Sequence, residues 1–170
     1  MNMISDKACF YGDIKIGNNV RIDDFCILTG DIAIGDNVHI ACYCFLSGQN
    51  GIIVEDFAQI GPRSTLMSGS DDFSGMSLIG PTIPEKYKFR MKKGKIIMRK
   101  HAVMGAHCVI FPGIIMEEGA ALGACSLARS SLDSWSIYAG VPAVKKKSRH
   151  KTMLEDEKEF KNENSPRISI

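Results

Sequence analysis

Nowhere in this 170-residue chain does an apolar run approach the length of a membrane-crossing helix, and the opening residues, Met1 to Lys7, hold no apolar core of the kind that directs export. The expectation is a cytoplasmic protein with no membrane insertion. Neither sign of charge prevails: 21 Lys and Arg stand against 19 Asp and Glu, a net +2, too little to draw the chain to a nucleic acid or an anionic membrane. Cysteine is present but not organised, since the six residues include no Cys-x-x-Cys pair. With no export signal beside them, they argue against both a disulfide framework and a zinc site. Composition does not lack material for a core. At 45% apolar and 24% charged, the chain suits one globular domain.

What the chain has instead is a period. An aliphatic residue falls at every sixth position from Ile16 through Ile22, Leu28, Ile34 and Ile40 to Leu46, resumes at Val54, Ile60 and Leu66, and returns from Met98 through Met104, Ile110 and Met116 to Leu122. The fifth place of each hexapeptide is also small or aliphatic, as at Val20, Ile32, Val38, Ala58, Ala102 and Ala120. Two inward positions in six fit neither a helix nor a simple alternating strand. Sustained short repeats of this kind mark a β-helix, whose stacked coils bury a core that no single repeat could bury alone. Cys26, Cys44 and Cys108 fall on inward places and are read as core thiols, leaving Cys42 as the cysteine expected to face outward. Asn19 and Asn37, in Gly-Asn-Asn and Gly-Asp-Asn at matching places, suit corners with left-handed backbone.

Departures from the period locate the other features. Residues before Ile16 are expected to form an irregular first coil that caps the solenoid, and Gly48 to Gly51 a small bulge. From Gly69 to Lys95 the repeat stops, and the gap holds Asp71, Asp72 and the basic series Lys86, Lys88, Arg90, Lys92, Lys93 and Lys95. So long a loop costs entropy with little core in return, which points to a functional excursion. Gly140 and Pro142 are expected to end the β pattern. Beyond them come Lys145, Lys146 and Lys147, a short helix over Met153 to Phe160, and a frayed end after Asn162. The organisation read from this is a β-helix domain over 1–144, with its excursion at 69–95, and a basic segment, helix and tail over 145–170.

The repeats resemble the left-handed β-helix of the hexapeptide acyltransferases, in which three hexapeptides make one triangular coil. Hand and triangular section are what the resemblance implies. Two stretches sharpen it: Ser70-Asp71-Asp72-Phe73-Ser74-Gly75 in the gap and Tyr138-Ala139-Gly140-Val141-Pro142-Ala143 after the last coil. Together they are similar to sugar acetyltransferases that use acetyl-CoA, above all those acting on nucleotide-linked amino sugars for surface polysaccharides. The resemblance implies an all-β left-handed parallel β-helix and a homotrimer with active sites between subunits. It also implies direct transfer from acetyl-CoA, with no metal.

Carried over by position, the resemblance makes Gly105-Ala106 and Gly123-Ala124 the corners that would let the pantetheine arm approach the backbone. Lys147 and Arg149 match basic positions for the phosphates of coenzyme A, although Val144 stands where the family pattern has a lysine. In the maltose and galactoside acetyltransferases a histidine follows the strand leading into the excursion; Asp71 occupies that place here. A free aspartate, with a pKa of about 3.9, is a weak base for a sugar hydroxyl, whereas an amine already has its lone pair when neutral. Asp71 therefore tilts the reading towards N-acetylation, with Asp72, Tyr43 and Arg63 as further acceptor-site candidates. His39, outward on an early coil, is the alternative base and would suit O-acetylation of a saccharide. His101 and His107 fall on different faces of one coil, which argues against a shared metal within a subunit. A non-catalytic β-helix scaffold is a third reading, since fold alone does not settle function.

Overall fold

The structure is a computed structural model that describes residues 1–163. Its chain winds as a left-handed parallel β-helix with three flat faces. On the first face the two-residue strands Arg21–Ile22, His39–Ile40, Gln59–Ile60, Val103–Met104 and Ala121–Leu122 stack parallel and in register, between Met3–Ile4 at one end and Ser136–Ala139 at the other. The other two faces are joined early in the chain by long strands, Cys9–Ile16, Ile27–Ile34 and Phe45–Val54, which pass through the corner between them. Later coils split at that corner, as in Val109–Ile110 and Ile115–Met116.

The period of six is explained by this stacking. Each coil places its sixth-position aliphatics over those of its neighbours: Ile40 lies between Ile22 and Ile60, and Leu46 between Leu28 and Leu66. All of these are buried, and each contributes on the order of 1.5–3 kcal/mol by leaving water. The fifth-position residues named above, with Cys26, Cys44 and Cys108, are buried beside them. Asn19 and Asn37 do adopt left-handed backbone, and the Asn19 amide donates to the Asn37 side-chain oxygen at 2.7 Å, so the corner makes its own polar ladder.

Several expectations need correction. The first coil is not irregular: Cys9–Ile16 pairs residue for residue with Ile27–Ile34, and Phe10 is partly exposed because no coil stacks beyond it. Nor does the β pattern end at Pro142. Val144–Ser148 turns back as an antiparallel strand against Ser136–Ala139, so the boundary drawn at 144/145 lies inside a sheet. The bulge is real, with the register shifting between Gly30 and Ile32 where Gly48 to Gly51 add two residues. Cys42 is half-buried, and Cys125 is the exposed cysteine among the described residues.

The excursion leaves after Thr65–Met67 and returns at Ile96–Met98. Its base is clasped by an antiparallel pair, Gly69–Ser70 with Lys92–Lys93, and its return limb carries one 3₁₀ turn, Glu85–Tyr87. The C-terminal helix, Met153–Glu163, runs further than expected, and the fraying proposed beyond it concerns residues outside those described. Glu157 docks this helix by ion pairs to Lys100 at 2.6 Å and His101 Nε2 at 2.8 Å, with Lys161 of the same helix at 2.7 Å. His101 is buried and stacks on Phe57, whereas His107 is exposed at the next corner.

Candidate active site

The excursion folds back over the strand Phe45–Val54 and borders, with it, a half-open cavity of about 570 Å³. Phe45, Ser47 and Gln49 come from that strand; Asp71 lies at the root of the loop, and Glu85 and Lys88 come from its return limb. Asp71 is carried directly from the clasp at Gly69–Ser70, and its Oδ2 accepts a hydrogen bond from the Gly80 N–H at 3.2 Å. Its other carboxylate oxygen has no hydrogen-bond partner among the described residues, so a group entering the cavity meets an oriented acceptor.

Asp72, the adjacent candidate, has a different task. Its Oδ1 accepts from the Ser74 N–H and hydroxyl at 3.0 and 2.7 Å, and its Oδ2 from the N–H groups of Met76 and Ser77 at 3.0 and 3.1 Å. Those bonds, the Ser74 hydroxyl foremost, hold its carboxyl below the usual range. Asp72 therefore shapes the loop tip and has little capacity left for an acceptor.

His39 belongs to another place. It projects from the first face, where its Nε2 is 2.8 Å from Asp23 Oδ2, and Asp23 Oδ1 takes the Arg21 Nε at 2.7 Å. Burial works to raise the Asp23 carboxyl, but the hydrogen bonds from Arg21 and His39 outweigh it and hold the group below its ordinary value. Arg21 and His39 line a shallow cavity of about 340 Å³ with Asn37 and Phe57. Among the described residues, His39 and Asp71 line different cavities.

Tyr43 and Arg63 lie together on a corner row, each in left-handed backbone. The Arg63 guanidinium is 5.3 Å from the Tyr43 ring centre, and Tyr43 stacks on Phe25 at 4.9 Å. Neither lines the Asp71 cavity; Phe45, two residues beyond Tyr43, does. Sequence reasoning missed Phe45, Ser47 and Gln49, and it saw Lys88 only as one of a basic series. For the three strand residues a signal existed, because they alternate outward between the buried Leu46 and Gly48.

The same corner row continues to His107 and Cys125, which line an apolar cavity of about 490 Å³ with Val109, Leu127 and Val141. Gly105-Ala106 and Gly123-Ala124 flank it in sequence. Their smallness has a structural cause: a Cβ on Gly105 would lie 2.5 Å from the Ala124 nitrogen. The Gly105 and Gly123 N–H groups are spent on the ladder, to Leu122 and Tyr138, whereas those of Ala106 and Ala124 are not donated among the described residues. At the tail, Arg149 gives its Nη1 to the carbonyl oxygens of His101 and Gly119 at 2.9 and 3.0 Å. It is half-buried and clamps the chain before the helix, so it is not held ready for a phosphate. Lys147 remains exposed on the last strand. Among the described residues no group of three or more side chains is arranged to hold a metal.

Comparison with known proteins gives the family. The family model for bacterial transferase hexapeptides, six repeats, matches residues 13–48. A dTDP-4-amino-4,6-dideoxy-D-glucose acyltransferase from Escherichia coli is 38% identical over 163 residues, covering 93% of this chain and 84% of that protein. The chain belongs to the hexapeptide-repeat acyltransferase family. Among solved structures, AntD, an N-acyltransferase from Bacillus cereus in complex with dTDP and 3-hydroxybutyryl-CoA, superposes with a TM-score of 0.93 at 50% identity, covering 96% of this chain and 89% of AntD. A variant of AntD in complex with dTDP-4-amino-4,6-dideoxyglucose and coenzyme A gives 0.92 at 49%, covering 95% and 88%.

Proposed function

We propose that this protein transfers an acyl group, acetyl in the simplest case, from a coenzyme A thioester to the 4-amino group of a dTDP-linked 4-amino-4,6-dideoxyhexose. The product would serve surface polysaccharide assembly, made in the cytoplasm by a homotrimer. The observation that carries the reading is Asp71, set at the root of the excursion in the lining of a polar cavity, with one carboxylate oxygen fixed by Gly80 and the other without a partner among the described residues. The Escherichia coli relative and AntD, both acting on or binding the 4-amino sugar or its nucleotide, support the substrate class.

In this reading the sugar amine donates an N–H to Asp71, which aims its lone pair at the thioester carbonyl. Attack forms the C–N bond, the tetrahedral oxyanion draws on backbone N–H donors at the small-residue corners, and its collapse breaks the C–S bond. The surplus amine proton passes through Asp71 to the departing thiolate, leaving the amide and free coenzyme A. No covalent enzyme intermediate is needed. The pantetheine arm would occupy the apolar cavity beside Ala106 and Ala124, with Lys147 and its neighbour Lys146 towards the phosphates.

A second reading keeps one specific observation in its favour: the His39–Asp23 pair is oriented as a general base would be. It would suit O-acetylation. Asp71→Asn should lower kcat/KM on a dTDP-linked 4-amino sugar by about a hundredfold or more, the usual size of a lost acid-base or positioning contact, while His39→Asn should change it far less. The reverse order, measured by release of free thiol, would transfer the chemistry to His39.

A further inference from the structure

The cavity that holds Asp71 also holds a charge that the packing of the loop does not require. Lys88 follows the 3₁₀ turn Glu85–Tyr87 with only 7% of its side chain exposed, although Lys86 and Arg90 on either side of it are open to solvent. Burying an ammonium costs free energy unless a partner compensates. Its partner is Glu85, at 3.1 Å from Nζ, but that carboxylate is 70% exposed and shared with Lys93 at 3.3 Å. Water screens such a pair. A methionine would fill the same volume without the penalty, so the retained charge calls for a use.

Asp71 by itself creates a difficulty for the reaction proposed above. A carboxylate beside an amine stabilises the ammonium form, which has no lone pair and cannot attack a thioester. We propose that Lys88 offsets this: its fixed positive charge in the acceptor cavity disfavours the bound ammonium and keeps the acceptor amine neutral near pH 7. Asp71 orients the amine, and Lys88 sets its protonation. The division of labour rests on the reading of the cavity as the amino-sugar site. The charged groups facing Lys88 are Glu85 on its own turn, with Lys93 from the clasp strand on the other oxygen of Glu85, and Asp71 across the cavity. The remaining lining side chains, Phe45, Ser47, Gln49, Ser70 and Met91 among them, carry none.

The test is the pH dependence of kcat, which reports ionisations in the enzyme–substrate complex, measured by free-thiol release from about pH 5 to about pH 9 with both substrates saturating. In Lys88→Met the acid limb should move up by about one pH unit, the size of shift a single neighbouring charge produces, and Lys88→Arg should restore it. Glu85→Gln removes an anion and should move the limb the other way, to lower pH. If Lys88 and Glu85 acted only as a staple for the loop, both substitutions would lower the rate and leave the limb in place. An unmoved limb, or a shift in the same direction in both variants, overturns the proposal. Glu85 is exposed and its variant should fold whatever becomes of Lys88→Met, so its limb alone decides the sign. Near-normal rates in Asp71→Asn would instead remove the acceptor site itself, a failure distinct from an unmoved limb in a chain whose Asp71 variant is crippled.

Discussion

Gly105 shows how closely the coils approach at a corner. Any Cβ there would press on the Ala124 backbone at 2.5 Å, and a Cβ on Gly61 would press on Gly105 at the same distance. Backbone cannot swing aside as a side chain does, so Gly105→Ala should destabilise by about 1–3 kcal/mol. In a thermal melt it should lower Tm by several degrees, and an unchanged Tm would mean the corners are looser than described. Single residues also mark the limit of what the sequence shows. Inward positions were legible because stacking imposes the same period on every coil, and each named aliphatic from Ile22 to Leu122 is buried. Asp72 and Arg149 were not legible in this way. Their roles depend on which donors or carbonyls a folded loop brings within reach, and neither a turn aspartate nor a tail arginine announces its partner in the linear order.

Among the elements, the C-terminal helix is the least self-sufficient. Among its described residues none is buried as a whole, and it is attached through charge: Glu157 to Lys100 and His101, with Lys161 closing the group. Burial would raise the Glu157 carboxyl, but hydrogen bonds from Lys100, Lys161 and His101 together hold it down at about 2 against an ordinary 4.5. A carboxyl depressed on folding contributes stability that is fully present above its unfolded value and is lost as pH falls through the folded one. Docking should therefore weaken between about pH 4.5 and about pH 2. Trp135 is the chain's one tryptophan, packed 6.2 Å from the His101 ring and within 5.4 Å of the Lys151 ammonium, so its fluorescence reports the event. Glu157→Gln should abolish the acid step in that signal and lower Tm by about 5 °C, as the loss of a charged hydrogen-bond group would. Persistence of the acid step in the variant would assign it to another group. The helix itself was legible from its thin apolar stripe. The antiparallel strand Val144–Ser148 was not, because a run of lysines on an edge strand has the composition of a solvated tail.

At the scale of the whole molecule, the excursion is the feature that leaves large apolar side chains open to solvent. Phe73 is 88% exposed and Phe89 73%, with Met76, Leu78 and Ile79 between them also open to solvent. So many large apolar side chains on one loop form the kind of patch that marks an interaction surface. The β-helix meanwhile offers shallow cavities that no element among the described residues closes. The homotrimer proposed above would cover both, since a head-to-tail contact of one loop with the next coil stack forms a closed ring where the rotation between copies allows it. Light scattering should accordingly give three times the chain mass of 18.7 kDa. The double variant Phe73→Ser and Phe89→Ser should keep the β signal of the solenoid, whose core lies elsewhere, yet dissociate and lose transferase activity together. Dissociation with full activity would place the whole site within one chain. A wild-type chain that scatters as an active monomer would refute the trimer outright, and the exposed loop would then have to find its partner in the substrate.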